Sequence, residues 1–244
     1  MIRLHLSGDL EAGAAVAPTL EQSRYLTQVM RLGVGDGLLA FNGRDGEWRA
    51  VVAEATKRGA ILRVEARTRP QAFGPDLELI VAVVKKAPLE TIVEKAVELG
   101  CRRIRLALTR RTVAGHVRLD RLDAIAEEAA EQCGRLDVPV VEDPQPLGDI
   151  LAASAARRLM FCDETGGAPA PEALADAPVG EAWSVLIGPE GGFTPEEGEG
   201  LRARAGTVAV SLGPRILRAD TAAIAALALW QSACGDWRPS RNAP

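Results

Sequence analysis

Residues 183–198 read W-S-V-L-I-G-P-E-G-G-F-T-P-E-E-G. The apolar run Trp183 to Ile187 has the length of a buried strand. T-P-E-E then opens a helix: Thr194 caps it, Pro195 suits its first position and Glu197 completes a capping box. Glycines placed between a strand and a helix commonly cradle phosphate. Glu190, in the middle of this loop, argues against that, because a carboxylate repels an anionic ligand. A second run, T-V-A-V-S (207–211), ends in the same way, with L-G-P-R at 212–215. In open α/β sheets ligands sit beyond the carboxyl ends of the strands, so two Gly-Pro loops leaving one edge form two walls of one pocket. Glu190 and Asp220 lie close to these loops, and no G-x-x-x-x-G-K-[ST] or strand-borne G-x-G-x-x-G is present. The ligand expected here lacks a di- or triphosphate and bears positive charge. S-adenosylmethionine (SAM), a sulfonium, fits that description.

Outward from these loops the chain alternates. L-E-L-I-V-A-V-V (77–84), R-I-R-L-A-L (103–108), V-P-V-V (138–141) and R-L-M-F-C (158–162) read as buried strands. Helices are expected at 88–100, with Pro88 in the first turn and Gly100 as the stop, at 119–133 with Gly134 as the stop, at 147–156 and at 195–205. A last helix spans 221–234, capped by Asp220 or Thr221. Such alternation predicts an α/β domain with a parallel sheet. The first 70 residues differ. Short alternating runs at 2–6, 37–41, 48–54 and 60–65, with turn signals at 33–37 and 42–46 and one helix at 19–30, predict a small, mostly antiparallel β domain or barrel. R-T-R-P-Q-A-F-G-P (67–75) reads as linker. The boundaries are therefore a β domain over 1–70, a linker at 71–76 and an α/β domain over 77–244.

Composition bounds the function. The chain has 244 residues, 47% hydrophobic and 25% charged, as in a soluble globular protein. Its apolar runs are too short to span a bilayer, and M-I-R-L-H-L-S-G-D-L lacks the apolar core of a secretory signal, so a cytosolic protein is expected. Cys101, Cys133, Cys162 and Cys234 show no C-x-x-C spacing, and His5 and His116 lie far apart. Neither a zinc site nor a Ser-His-Asp triad is expected. Net charge is −4, yet Arg102, Arg103, Arg105, Arg110, Arg111, Arg118 and Arg121 face a single acid, Asp120, within residues 101–121. That stripe either steers a polyanion to one face or is the solvated surface of an arginine-rich chain, which has 25 Arg to 4 Lys.

I-G-P-E-G-G-F-T-P-E-E together with S-L-G-P-R-I-L-R-A-D-T-A closely resembles the signature of the bacterial 16S rRNA (uracil-N3)-methyltransferase family, in the SPOUT superfamily. Y-L-T-Q-V-M-R-L-G-V-G-D-G (25–37), V-E-K-A-V-E-L-G (93–100) and E-E-A-A-E-Q-C-G-R (127–135) agree, in the same order, over nearly the whole chain. The sequence departs from the family pattern at Asp220, where Glu is usual, and at Glu94, where Gln is frequent. The resemblance implies a PUA-like RNA-binding β-barrel domain followed by a SPOUT α/β methyltransferase domain with a C-terminal trefoil knot. It further implies a homodimer, SAM bound in the knot, and methyl transfer to N3 of a uridine in 16S rRNA of the small ribosomal subunit.

On that pattern the cofactor is held by Ile187, Gly188, Pro189, Glu190, Gly191 and Gly192 from the first loop and by Leu212, Gly213, Arg215, Ile216 and Leu217 from the second, with Thr221 beyond. N3 of uracil carries a proton, so the reaction needs an acceptor and a stabiliser for the anion left behind. Arg218 is the expected stabiliser, since guanidinium donors suit an oxygen that gains charge; Glu190 and Asp220 are the candidate acceptors. Arg24, Arg31, Lys85, Lys86, Arg102, Arg103, Arg110 and Arg111 are the candidate RNA-backbone contacts. Phe193 is read as core rather than as a stacking platform.

Overall fold

The computed structural model describes residues 1–113 and 115–238 and divides them between two compact units. The first is Met1–Phe73 together with Ala130–Val138. Its strands are β1 (Arg3–His5), β2 (Ala15–Val16), β3 (Gly37–Phe41), β4 (Glu47–Thr56) and β5 (Gly59–Arg69), in the sheet order β1-β3-β4-β5-β2. All pairings are antiparallel except β1 with β3, which is parallel. The alternation read in the sequence works as a period-2 pattern should: Leu38 and Ala40 of β3, Ala50 and Val52 of β4, and Leu62 and Val64 of β5 point into one core. β5 runs through Arg69, so 67–69 is strand rather than linker. Between β2 and β3 the helix expected at 19–30 is present in two parts. α1 (Leu20–Arg24) starts at a Thr19–Gln22 capping box and passes directly into a π-helical turn, Tyr25–Val29. That turn ends beside Arg31, the one non-glycine residue at positive φ (58°) among the described residues.

Glu47, 4% exposed, is the ionic centre of this unit. It accepts hydrogen bonds from Arg3 (2.9 Å), Arg69 (2.6 and 3.0 Å) and Thr68 (2.9 Å). Arg3 also donates to the carbonyls of Ala130, Glu131 and Arg135, the returning segment for which the sequence offers no signal. Burial pushes the Glu47 carboxyl up, but the bonds from Arg69, Arg3 and Thr68 outweigh it and bring the pKa to about 2, below the ordinary 4.5. A depressed carboxyl contributes stability that is fully present above its unfolded pKa and is lost as pH falls through the folded one. Urea unfolding is therefore expected to lose about 3 kcal/mol from this group between pH 5 and pH 2. Glu47→Gln should flatten that part of the acid limb; an unchanged limb would contradict the assignment.

The second unit is Gly74–Ala129 with Pro139–Pro244, of which 239–244 lie outside the described residues. Its strands are β6 (Leu77–Ala82), β7 (Arg103–Leu108), β8 (Val140–Pro146), β9 (Arg158–Cys162), β10 (Ala168–Pro169), β11 (Trp183–Ile187) and β12 (Thr207–Ser211). They form one seven-stranded sheet in the order β10-β12-β9-β11-β6-β7-β8, with every pairing parallel. The helices are α2 (Lys86–Glu98), α3 (Leu119–Cys133), α4 (Leu147–Ala153), α5 (Ala170–Ala173), α6 (Pro195–Ala203) and α7 (Ala219–Cys234). β6 and β11 are buried at every position, as expected for central strands of a parallel sheet covered on both faces. Trp183 of β11 meets Trp230 of α7 edge-on at 6.4 Å, both essentially buried. Thr194 and Glu197 make the expected capping box on α6, with Pro195 in the first turn. The expected cap of the last helix is different: Arg218 is the N-cap residue, without a side-chain cap, and Asp220 accepts instead from the amide of Thr221 at 2.7 Å. β8 begins at Val140 rather than 138, and β2, β10 and α5 were not foreseen.

Candidate functional site

In the sheet order, β9 lies between β12 and β11. Because the strands are parallel, the loops leaving all three emerge at one edge. A cavity of about 220 Å³ opens there. The first loop contributes Ile187, Gly188, Pro189, Glu190 and Gly192; the second contributes Leu212, Gly213, Arg215, Ile216 and Leu217. Of the residues expected to hold the cofactor, Gly191 and Thr221 are off the wall. Arg218 and Asp220 are off it too, although Ala219 and Ala222 of α7 are on it.

The first loop is a tight turn closed by Gly192 N–H donating to the Pro189 carbonyl at 2.9 Å. Two of its glycines are required by space. A Cβ on Gly188 would lie 2.7 Å from the Phe193 ring. Gly192 has φ +67°, and a Cβ there would lie 1.7 Å from the Glu164 carboxylate. Phe193 is packed into the core against Phe161, ring centroids 5.4 Å apart, and also borders the cavity. Two further bonds brace the loop from outside. Arg111 Nη1 donates to the Gly191 carbonyl at 2.8 Å, and the Arg110 amide donates to Glu197 at 2.9 Å.

Sequence reasoning missed the third wall, Cys162, Asp163 and Glu164 at the end of β9. The signal was available in F-C-D-E-T-G-G (161–167), another apolar run ending in polar and glycine residues. Asp163 is 5% exposed and fully engaged: it accepts from Thr165 N–H (2.9 Å), Thr165 Oγ1 (2.8 Å) and Arg202 Nε (2.7 Å). Burial pushes the Cys162 thiol up to about 12, so it stays protonated and unreactive. Of the three carboxylates on the wall Asp163 is already paired with Arg202, which leaves Glu164 and Glu190 to face one guanidinium, Arg215, around the cavity. That balance disfavours phosphate and suits a cation, with apolar side chains and main chain for the remainder of the ligand. Among the described residues no group of three or more His, Cys, Asp or Glu comes together to hold a metal.

Residues 72–231 match the RNA methyltransferase domain, and residues 18–65 match the RNA methyltransferase PUA domain. Ribosomal RNA small subunit methyltransferase E of Rickettsia conorii is 33% identical over 204 residues, covering 84% of each chain. The chain belongs to the ribosomal RNA small subunit methyltransferase E family. A Synechocystis member is 34% identical over 220 residues, covering 88% of this chain and 72% of its own. Among solved structures, a family member from Neisseria gonorrhoeae bound to S-adenosylmethionine is 27% identical with a TM-score of 0.85, covering 98% of this chain and 100% of its own. A methyltransferase from Legionella pneumophila in complex with SAM is 26% identical with a TM-score of 0.86, covering 96% and 98%.

The candidate RNA contacts divide into paired and unpaired cations. Arg103 pairs with Glu142 at 3.2 Å and Lys86 with Glu90 at 3.9 Å; Arg102 is half-buried. Arg105, Arg118 and Arg121 of the same stripe are also paired, to Glu142, Asp120 and Glu90. Arg110 and Arg111 are exposed beside the glycine loop, Arg110 pairing with Glu196 at 3.9 Å, and Arg24, Arg31 and Lys85 are exposed with no acidic partner among the described residues. The stripe is therefore partly internal, which residue counting cannot reveal. Among the described residues no helix is long and apolar enough to cross a membrane.

Proposed function

We propose that this protein is a SAM-dependent methyltransferase that modifies N3 of a uridine in 16S rRNA of the small ribosomal subunit. We propose further that it works in the cytoplasm as a homodimer whose C-terminal loops are knotted around the cofactor. The carrying observation is the acid-rich cavity built by the loops after β11 and β12, in a chain whose relatives are named as small-subunit rRNA methyltransferases and whose structural neighbours hold SAM.

The residues present fit the cofactor. Main chain of Gly188, Pro189, Glu190 and Gly192 and of Leu212–Leu217, with the side chains of Ile187, Leu212 and Leu217, would hold it, the carboxylates answering its positive charge. When bound, SAM supplies an electron-poor methyl group. The chain's part is to position the uracil and to manage its N3 proton. Arg218 is exposed at the N-terminus of α7, with no partner for its guanidinium among the described residues, and is free to face a uracil oxygen as negative charge develops. Arg24, Arg31, Lys85, Lys86, Arg102, Arg103, Arg110 and Arg111 would contact the RNA backbone, so affinity for RNA should fall as salt rises.

The test is methylation of small-subunit rRNA by purified protein with isotopically labelled SAM, followed by nucleoside mass spectrometry. Labelled N3-methyluridine is expected; label in a ribose methyl would overturn the reading. Arg218→Ala should lower the single-turnover rate by about 10²–10³-fold with SAM affinity little changed. Arg218→Lys should restore only part of it, since an ammonium lacks the planar fork.

A further inference from the structure

A second cavity, of about 310 Å³, adjoins the first and shares three wall residues with it, Asp163, Glu164 and Phe193. Its remaining charged walls are Arg111, Arg202 and Glu199. The shared residues differ in what they have left to offer. Phe193 belongs to the core, and Asp163 is saturated by Thr165 and Arg202. Glu164 is exposed, and among the described residues no donor engages its carboxylate, which rests against Gly192. It stands on the partition between the two cavities with its lone pairs open.

The hydrogen-bonding edge of uracil presents O2, N3–H and O4, an acceptor, a donor and an acceptor. The second cavity carries the complement, guanidinium donors from two arginines and a carboxylate acceptor. Arg111 commits Nη1 to the Gly191 carbonyl, and Arg202 commits Nε and Nη2 to Asp163 and Thr165. Each guanidinium has five N–H donors, so both keep some for a ligand. Cytosine has no proton at N3 and turns a donor, its amino group, toward one of those arginines.

We propose that the second cavity receives the target uracil, extruded from its RNA, and that Glu164 accepts the N3 proton. An enzyme that acts on a base edge takes that base out of its stack, and a pocket beside the cofactor is where it goes. Glu164 takes the proton and the N3 lone pair forms the new nitrogen–carbon bond. The methyl–sulfur bond breaks with its electrons left on sulfur, so a neutral thioether departs. The inference rests on the proposed function, adds its base pocket and makes Glu164 the acceptor in place of Glu190 and Asp220, which do not line this cavity. Arg111 and Arg202 face the uracil oxygens from within it, and Arg218, off both walls, approaches an oxygen's second lone pair from outside.

The test begins without cofactor. Uridine and cytidine are titrated into the protein and followed by saturation-transfer NMR, for wild type, Glu164→Gln and Gly198→Leu. Gly198 lies buried on α6 at the wall of the second cavity, where leucine is a good helix former and an added Cβ meets the Arg202 guanidinium at 3.4 Å, so the larger side chain takes the space beside it. Wild type should bind uridine at least about tenfold more tightly than cytidine, as expected where a site's polar groups would be left unpaired by the wrong base. Gly198→Leu should abolish uridine binding. Glu164→Gln should keep it, because the amide oxygen still accepts from N3–H. With SAM added, Glu164→Gln should bind the cofactor as wild type does and lose about 10²–10⁴-fold in single-turnover methylation. The rate should recover in alkali, where N3 ionises unaided. Equal binding of the two nucleosides, or undiminished uridine binding by Gly198→Leu, overturns the base pocket. A wild-type single-turnover rate for Glu164→Gln overturns the proton role. All of these leave N3-methyluridine as the wild-type product, whereas a ribose-methyl product overturns the functional reading and this inference together.

Discussion

Gly192→Ala is expected to lower SAM affinity by about 10- to 100-fold in calorimetry, at 1.4 kcal/mol per tenfold, while the same change at Gly191 leaves it within about twofold. The two glycines are neighbours on one loop, so a general loosening of the loop predicts similar effects at both. Space and torsion predict different ones. At Gly191 an added Cβ meets only the Arg111 side chain, at 3.7 Å, an ordinary contact. At Gly192 the backbone holds φ +67°, which costs an L-residue about 1–2 kcal/mol, and the methyl would lie 1.7 Å from Glu164 Oε1. Either the turn closed by the Gly192–Pro189 hydrogen bond opens or Glu164 swings off the partition; both reshape the cavity wall. Equal affinities for the two variants would show that the main chain of this turn does not hold the cofactor.

The strands that place the site were legible because each is a short apolar run bounded by turn residues. β3, β7, β9, β11 and β12 begin and end where the sequence places them. α6 was legible from its cap, since Thr194, Pro195 and Glu197 act within one turn and need nothing from elsewhere in the chain. A-P-A-P-E-A (168–173) carries neither a period of two nor one of 3.6, so β10 and α5 were invisible. The π-turn at Tyr25–Val29 was invisible for another reason: over five residues its spacing cannot be told from that of an α-helix.

The limits at the site follow the same logic. The two Gly-Pro loops were found because each announces itself locally. That a third strand lies between theirs is a property of sheet order, and no local signal connects Asp163 and Glu164 with the loops that begin at Ile187 and Leu212. Charge counting failed similarly for the arginine stripe. Arg105 sits on a central strand and is buried against Glu78 and Glu142, whereas Arg110 and Arg111, a few residues later, emerge beside the glycine loop. Arg105 lies within β7 whereas Arg110 and Arg111 lie past its end at Leu108, a boundary that composition does not record.

Removal of the Glu78 carboxylate should produce the largest loss of stability, and it should do so without weakening cofactor binding. Glu78 is 1% exposed on β6, and its Oε1 accepts hydrogen bonds from Ser154 and Ser184, each at 2.6 Å. Arg157 and Arg105 approach its two oxygens at 3.6 Å. Truncation strands two serine hydroxyls and leaves two nearly buried guanidiniums short of a counter-charge. Breaking such a buried pair from one side costs about 3–5 kcal/mol, because the remaining charge keeps its desolvation penalty. For a chain of this size that corresponds to a fall of roughly 10 °C in melting temperature. Arg105 retains Glu142 at 3.3 Å and Arg157 retains Asp76 at 2.9 Å, which places the loss toward the lower end of the range. Glu78→Gln keeps an oxygen for the serines and should cost less than Glu78→Ala. Glu78 pairs in register with Ser184, near the start of β11, whereas the cavity lies past Ile187 at the strand's other end. Glu78→Ala that is still folded should therefore bind SAM as wild type does. A melting temperature within about 2 °C of wild type would mean that the serines and arginines find other partners once the carboxylate is gone; weakened SAM binding in the folded variant would mean that the two ends of β11 are mechanically coupled.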